Sequence, residues 1–409
     1  MHDIIKKNYE RCAMISNRIK EMIPSVTLAQ SEKIAQLKKQ GINVIGFNIG
    51  EPDFNTPDNI IKKAEEAYSL GYTKYTPASG LIELREEICR KFKNDYNLDY
   101  TVRDVIVSSG AKQSLTNALM AIIDPGDEVI VPTPCWISYV EMIKLTGGIP
   151  VLVKMNESTG YDLDVDKIKD SITDKTKAVL INSPNNPTGA VYKREDLERL
   201  GNLAVEDNFY IISDEIYEKL VYDGEANCCT ASISPEIKEK TITINGVSKS
   251  YAMTGWRIGY AVGPTHVIKA MSDYQGHTTT SPNSPAQYAS IEALSSCDKF
   301  VEEMRKEFDK RRKFIAERLN KIDGINCVMP KGAFYVMVGI NEFYGKIYNG
   351  FTINNPMDMC AYLLNESRIA VVDGAAFFAD DSIRISYSNS MDNIREGMDR
   401  MEEALKKLR

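Results

Sequence analysis

The stretch Thr241-Ile242-Thr243-Ile244-Asn245-Gly246-Val247-Ser248-Lys249-Ser250-Tyr251-Ala252-Met253-Thr254-Gly255-Trp256-Arg257-Ile258-Gly259-Tyr260 decides how this chain is read. Its first four residues are β-branched and predict a strand. Lys249 then falls just past a strand end, in a loop of small residues. Arg257 follows eight positions on, with glycines on either side. Backbone can crowd around a lysine held there. With an arginine nearby, such a lysine suits an amine that bonds covalently to a carbonyl while the arginine holds an anionic handle. A solvated loop lysine is the plain alternative, and the rest of the chain must decide between the two.

Outward from that stretch the pattern alternates. Strands are predicted at 105–107, 128–131, 177–181 and 210–213, and helices at 60–70, 81–95 and 112–123. Short β-branched runs separated by helical stretches predict an α/β fold with a mostly parallel sheet covered by helices. The runs are almost continuously apolar, as strands buried on both faces are. Near residue 297 the rhythm changes. A long charged amphipathic helix is predicted at 298–319, then sparser strands at 333–338, 369–372 and 383–386, and a closing helix at 391–408. This reads as a smaller α+β domain over 298–409, with 48–297 as the large domain. At the other end, 28–40 reads as an amphipathic helix stopped by Gly41, and 44–49 as a strand. Segment 1–47 is expected to pack on the small domain.

Composition narrows the function. The chain has 409 residues and a net charge of −7 with no basic block, which argues against nucleic acid as a partner. No apolar run is long enough to span a bilayer, and residues 1–20 lack the apolar core of a signal peptide. The eight cysteines are scattered, with Cys228-Cys229 the one close pair and no C-x-x-C. Reduced thiols of a cytoplasmic protein are expected, rather than a disulfide framework or a metal site. Only His2, His266 and His277 are present, so the general base is sought among other residue types.

Five further motifs carry chemistry. Asp214 and Tyr217 end the strand at 210–213. A carboxylate at the C-terminal end of a buried strand lies where open α/β sheets bind ligands, and it costs desolvation energy unless a cation or proton shares it. A protonated pyridine nitrogen is one such partner; a helix N-cap is the structural alternative. In Ser183-Pro184-Asn185-Asn186-Pro187-Thr188-Gly189 two prolines fix two asparagines, so either an amide is aimed at an oxygen or the turn is structural. Ser108-Ser109-Gly110-Ala111-Lys112-Gln113 joins a strand to a helix and offers N–H groups to a phosphate, although it matches neither G-x-x-x-x-G-K-[ST] nor G-x-G-x-x-G. Trp136 stacks on a flat ring or fills the core. Arg384, inside the apolar strand Ile383-Arg384-Ile385, needs a bidentate anion, either a substrate carboxylate or a structural Asp.

In this order and spacing the motifs resemble one family. Pro24-Ser25-Val26-Thr27-Leu28, Gly50-Glu51-Pro52-Asp53-Phe54-Asn55-Thr56-Pro57, Lys74-Tyr75-Thr76-Pro77-Ala78-Ser79-Gly80, Asn185-Asn186-Pro187-Thr188-Gly189, the Lys249 run and Ile383-Arg384-Ile385-Ser386-Tyr387 are similar to those of class I aminotransferases. These are pyridoxal-phosphate enzymes of fold type I, and the likeness is greatest to the aspartate aminotransferases of bacteria and archaea. The resemblance implies a seven-stranded sheet, a small domain built from both termini, and pyridoxal 5′-phosphate as cofactor. It implies that Lys249 forms a Schiff base with the cofactor and then moves the proton. Asp214 would keep the ring nitrogen protonated. Tyr217 and Asn186 would bond the ring's 3′ oxygen. Trp136 would stack on the ring. Gly110, Ala111, Lys112, Ser248 and Arg257 would hold the phosphate, with Tyr75 reaching it from the neighbouring subunit of a homodimer. Arg384 would grip the α-carboxylate beside Gly50, and Trp136 and Asn186 would also border the substrate.

The chain departs from the pattern in three places. Gly246 stands where many relatives place a phosphate-binding serine. Tyr139 stands where animal and enteric aspartate aminotransferases carry a histidine behind the aspartate. The stretch His277-Thr278-Thr279-Thr280-Ser281-Pro282-Asn283 has no arginine for a distal carboxylate, and Lys112 is the expected substitute. The activity expected is a ping-pong transamination between L-aspartate and 2-oxoglutarate. Aromatic, alanine or prephenate-type specificity and a fold type I C–S lyase are the alternatives within the same chemistry. A ligand sensor carrying an added DNA-binding domain is the alternative outside it, and the first motif, at Pro24, leaves no room for that domain.

Overall fold

The chain's β-branched runs become fourteen strands among the described residues: β1 (Ile45–Gly46), β2 (Val105–Ser108), β3 (Glu128–Thr133), β4 (Ile149–Lys154), β5 (Thr176–Asn182), β6 (Tyr210–Asp214), β7 (Thr241–Gly246), β8 (Gly259–Val262), β9 (Tyr335–Gly339), β10 (Ile347–Tyr348), β11 (Phe351–Thr352), β12 (Ile369–Ala370), β13 (Val372–Asp373) and β14 (Ser382–Ser386). The computed structural model describes residues 15–23, 34–37, 39–225 and 227–409. Seven strands form one sheet in the order β2-β8-β7-β6-β5-β3-β4. All its pairings are parallel except those of β8, which runs antiparallel to both β2 and β7.

Alternation along each strand sends successive side chains to opposite faces. Val129 and Val131 pack with the helices Ala111–Ile122, Ile137–Thr146 and Thr265–Thr278, while Ile130 between them packs with Val165–Asp170 and Arg194–Glu206. Ile212 and Ile211 divide the same way. Each such side chain contributes roughly 1.5–3 kcal/mol by leaving water. This two-sided burial is why the central strands read as continuous apolar runs. β4 is the sheet's edge, with Ile149 and Leu152 exposed and Pro150 tolerated because one side needs no ladder bond. β8 begins at Gly259, where an added Cβ would stand 2.1 Å from the Ala111 nitrogen. Glycine there lets the start of the helix Ala111–Ile122 close on the sheet.

The C-terminal part is a second layer. β13, β14 and β9 form an antiparallel sheet. The helix Asp298–Leu319 lays Met304, Phe308, Ile315 and Leu319 against it, and the helix Met391–Leu405 adds Ile394, Met398, Met401 and Leu405. Both sets follow the i, i+3/i+4 spacing of an apolar helix face. The same cluster takes in Ile45 and Phe47 from the N-terminal side, where β1 pairs in parallel with β12.

Three expected elements differ. The strand expected at 44–49 is only Ile45–Gly46, because the chain beyond Phe47 leaves β12 and runs toward the cavity described below. The strand expected at 369–372 is two, since the chain changes partner at Val371 from β1 to β14. Of the helix expected at 28–40, residues 34–37 and 39 are helical, while 28–33 and 38 lie outside the described residues, as does the motif Pro24–Leu28. Among the described residues no helix is long and apolar enough to cross a membrane.

Candidate active site

The parallel strands deliver their C-terminal ends to one edge of the sheet, the edge where open α/β sheets receive ligands. Ser108 ends β2, Thr133 ends β3, Asn182 ends β5 and Asp214 ends β6, while Lys249 follows β7 by three residues. The loops beyond them enclose a cavity of about 280 Å³, lined among others by Gly50, Ala111, Lys112, Trp136, Asn186, Asp214, Tyr217, Ser248, Lys249, Arg257 and Arg384. All were singled out in the sequence. The three C-terminal layer residues that reach this cavity or its wall, Phe334, Tyr335 and Arg384, come from β9, the turn before it, and β14.

Asp214 is 3% exposed. Its Oδ2 accepts the Tyr139 hydroxyl at 2.7 Å and its Oδ1 accepts the Ile216 N–H at 3.2 Å. Burial pushes its carboxyl up to about 6, against the opposing pull of those two donors and of Lys249. No ion pair involving Asp214 exists among the described residues. The carboxylate is therefore held ready for a cation that the protein itself does not supply. Lys249 donates to the Gly50 carbonyl at 2.5 Å and faces the rings of Tyr217 and Phe334, each 6.0 Å away. Burial brings its amine down to about 8; Glu51 and Asp214 oppose this, while Arg257 and Arg384 reinforce it. A lysine near 8 has a substantial neutral fraction at physiological pH, which a nucleophilic amine requires.

The Asn185-Asn186 turn is set by β5. Asn182 accepts the Asn186 N–H at 2.8 Å through its own side chain and donates its amide to the Asp214 carbonyl at 2.9 Å. The peptide bonds Ser183-Pro184 and Asn186-Pro187 are cis. Asn186 Oδ1 accepts from Arg384 at 3.1 Å, which leaves its NH₂ as a donor. Arg384, 2% exposed in the middle of β14, also donates to the Asn48 carbonyl at 2.9 Å. Its Nε has no partner, and no carboxylate pairs with it among the described residues. Of the two alternatives left by the sequence, a structural Asp is thereby excluded within the described chain.

On the opposite wall Gly110 stands before the helix Ala111–Ile122 with φ +88°, and no side chain caps that helix. A Cβ on Gly110 would lie 2.3 Å from Arg257 Nη2, so glycine permits the guanidinium to lie across the helix start. Arg257, itself at φ +57°, is exposed and donates to the Thr254 carbonyl at 2.8 Å. Free N–H groups, the helix dipole and a guanidinium converge there as an anion site. Lys112 Nζ lies 4.5 Å from the Trp136 ring centre and 3.4 Å from Ser138 Oγ. Trp136 meets Tyr139 edge-on, with ring centres 5.4 Å apart. Gly246 is fully enclosed, a Cβ there meeting Gly259 and the Ile258 carbonyl at 2.9 Å. No serine fits at 246; Ser248, 7% exposed, borders the cavity instead.

Tyr75 is the one candidate that the fold does not bring to the cavity. It is 90% exposed, beside Lys74 and Ser281 in a separate surface depression. Sequence reading missed Asn48, Asn182 and Tyr335. Asn48 and Asn182 act through contacts that only the folded loops create. Tyr335 lay in a predicted strand, but its position diagonal to Arg384 depends on a register that one sequence does not reveal.

The cavity thus holds a buried carboxylate lacking a cation, a lysine of lowered basicity, an anion site at a helix start and a free guanidinium edge. This donor set fits pyridoxal 5′-phosphate, which has a protonated ring nitrogen, an aldehyde and a phosphate, together with a carboxylate-bearing substrate. Comparison with known proteins agrees. The family profile for aminotransferase class I and II matches residues 42–401. An aspartate aminotransferase of Bacillus sp. (strain YM-2) is 47% identical over 96% of this chain and 99% of its own. The aspartate/prephenate aminotransferase of Thermus thermophilus is 42% identical over 96% of this chain and 98% of its own. A crystal structure of the aspartate aminotransferase from Rhizobium meliloti superimposes with a TM-score of 0.93 at 41% identity, covering 97% of this chain and all of that one.

Proposed function

The chain belongs to the class I and II aminotransferases, a pyridoxal-phosphate-dependent family acting on amino and oxo acids, and from that premise we propose that it transfers the amino group of L-aspartate to 2-oxoglutarate by a ping-pong cycle. The observation that carries the reading is the pairing, in one cavity, of cation-free Asp214 with the weakly basic Lys249.

When bound, the cofactor supplies an aldehyde that bonds to amines and a ring that draws negative charge away from the substrate's Cα. The residues do the rest. Asp214, backed by Tyr139, holds a proton on the ring nitrogen. Tyr217 and the free amide of Asn186 donate to the ring's 3′ oxygen, and Trp136 stacks on the ring. The N–H groups after Gly110, Ala111 and Lys112, with Ser248 and Arg257, bind phosphate. Arg384 binds the α-carboxylate beside Gly50, fixing the Cα–H bond in the orientation from which proton loss is easiest. Lys249 would hold the cofactor through its aldehyde and, being weakly basic, would serve as the group that moves the Cα proton.

Aspartate is favoured by the names of the relatives and by Lys112, exposed at the cavity mouth with the Trp136 ring and a long contact to Ser138 as its neighbours and no carboxylate paired with it among the described residues. Its point charge selects less sharply than a guanidinium fork, and a relative acting on both aspartate and prephenate favours a second reading in which prephenate is also accepted. Tyr75, exposed and away from its own cavity, supports a homodimer in which it reaches the phosphate of the neighbouring subunit. We divide the chain into a large cofactor-binding domain, 48–297, and a small C-terminal domain, 298–409, on which segment 1–47 packs, a division supported by the β1–β12 pairing. The seven described cysteines are free, which supports a cytoplasmic setting. The test is a panel of half-reactions. Adding L-aspartate to the cofactor-loaded protein should change its visible spectrum and release oxaloacetate. Faster release of thiol and pyruvate from cystathionine would turn the assignment to a lyase.

A further inference from the structure

Tyr335 has no part in the chemistry above, yet it touches three groups that do. Its hydroxyl lies 2.9 Å from that of Tyr217. Its ring centre lies 4.5 Å from the Arg384 guanidinium carbon. A Cβ on Gly50 would stand 3.0 Å from its hydroxyl, so glycine at 50 leaves the phenol its space. The side chain is 1% exposed, with the Phe334 ring 4.7 Å away and the Tyr217 ring edge-on at 5.8 Å. The β9–β14 register sets Tyr335 opposite Ser386 and Met337 opposite Arg384. Tyr335 and Arg384 are therefore diagonal neighbours on one face of the sheet.

We propose that Tyr335 is a positioning residue that aims the Tyr217 hydroxyl into the cavity and holds the Arg384 fork in reach of a substrate carboxylate. This rests on the assignment of Tyr217 to the cofactor's ring oxygen and of Arg384 to the carboxylate. Charge decides the direction of the hydroxyl pair. Burial raises both phenols; the Arg384 cation is the main counterweight for Tyr335, whereas Tyr217 is raised further by Tyr335 itself. The more acidic phenol is the better donor. In the proposed arrangement Tyr335 donates across the 2.9 Å contact and Tyr217 keeps its proton for an acceptor in the cavity. The guanidinium, meanwhile, is fixed by the ring face on one side and by Asn186 and Asn48 at its two NH₂ groups, with Nε left for an anion.

Two variants separate the halves of this role. Tyr335→Phe keeps the ring and loses the hydroxyl. In the cofactor-loaded protein the midpoint of the pH-dependent visible absorbance should rise by about 0.5 pH unit or more, the effect of weakening one hydrogen bond to the ring oxygen. The Kd for succinate, an unreactive dicarboxylate, should stay within about twofold, since the cation–ring contact survives. Tyr335→Leu also removes the ring, and its Kd for succinate should rise about tenfold, the worth of a desolvated cation–ring contact. Should the leucine variant fail to fold, Tyr335→Met, closer in length, takes its place. An unmoved midpoint in the phenylalanine variant overturns the proposal, as does wild-type succinate affinity in the leucine or methionine variant. If the wild type stays colourless with pyridoxal 5′-phosphate, the underlying assignment falls and this one with it. A coloured wild type with an unmoved phenylalanine variant sinks this one alone.

Discussion

Asp214→Asn should make the cofactor-free protein relatively more stable as pH rises, and should cost it most of the stabilisation that the cofactor brings. The Asp214 carboxyl moves from its ordinary 3.8 to about 6 because burial penalises the charged form. An acid whose folded pKa is raised keeps its proton longer in the folded state. Its contribution to stability is therefore greatest at low pH and is lost as pH climbs through the window between the two values. The loss is on the order of 1–2 kcal/mol at pH 5 and about 3 kcal/mol at pH 8. Asparagine has no such dependence. It carries its own cost, since its NH₂ meets no acceptor where Tyr139 and Ile216 both donate, but that cost is the same at every pH. The difference between the two proteins should thus shift by roughly 1–2 kcal/mol toward the variant from pH 5 to pH 8. Glu215, raised by burial to about 8, titrates in both proteins and cancels. Urea unfolding followed by tryptophan fluorescence, at one protein concentration, measures the difference. Adding pyridoxal 5′-phosphate should then stabilise the wild type more than the variant, because only the aspartate gains a cation. A difference that stays flat across that pH range would refute the claim that Asp214 is buried and ionised without a partner.

Other expectations follow from single contacts. Gly110→Ala puts a Cβ 2.3 Å from Arg257 and strains a backbone at φ +88°; cofactor affinity, read by equilibrium dialysis, should fall at least about tenfold as the guanidinium is displaced. Lys249→Ala should bind the cofactor without the absorbance of a covalent adduct, leave no borohydride-reducible tag on the peptide, and lose turnover; retained turnover would remove Lys249 from its role. In the cofactor-free wild type, the rate of covalent capture should rise with an apparent midpoint near 8, the value to which burial lowers this amine, and a midpoint near that of an ordinary lysine would contradict it. Arg384→Leu should raise KM for every amino acid, whereas Lys112→Ala should harm only the acidic ones; equal losses across a substrate panel would discard Lys112 as the group that reads the distal carboxylate.

Much of this site was legible because its signals are local. Strand ends are marked by β-branched runs that give way to polar or small residues, so Asp214, Lys249 and the Gly110 loop could each be placed at the sheet's C-terminal edge before any contact was known. Arg384 announced itself as a cation inside an apolar strand. What stayed hidden is what depends on pairing between distant segments. Nothing local tells that Tyr335 lies diagonal to Arg384, or that Asn182 rather than solvent anchors the Asn186 amide. Tyr139 stood out only as a departure from a pattern; that its hydroxyl sits 2.7 Å from Asp214 follows from how the helix Ile137–Thr146 packs on β3 and β5. The short strands β1, β12 and β13 were misjudged for a related reason. Their apolar runs are real, but the chain changes partners within them, and periodicity does not record a change of partner.

The segment Asn48–Asp53 shows why these distant pairings matter for chemistry. It leaves β1 and borders the cavity, held by several of its polar groups. The Asn48 carbonyl accepts from Arg384 and the Gly50 carbonyl from Lys249. The Glu51 carboxylate accepts from Thr254 at 2.8 Å, its carbonyl from Ser388 at 2.6 Å, and Asp53 binds Arg311 at 2.6 Å. One backbone strap is therefore fastened to the long helix Asp298–Leu319 by Arg311 and to the small sheet by Arg384, while it touches the reactive lysine and its loop. Gly50 is where the strap passes within reach of both Lys249 and the Tyr335 hydroxyl, which gives a physical reason for a glycine at that position.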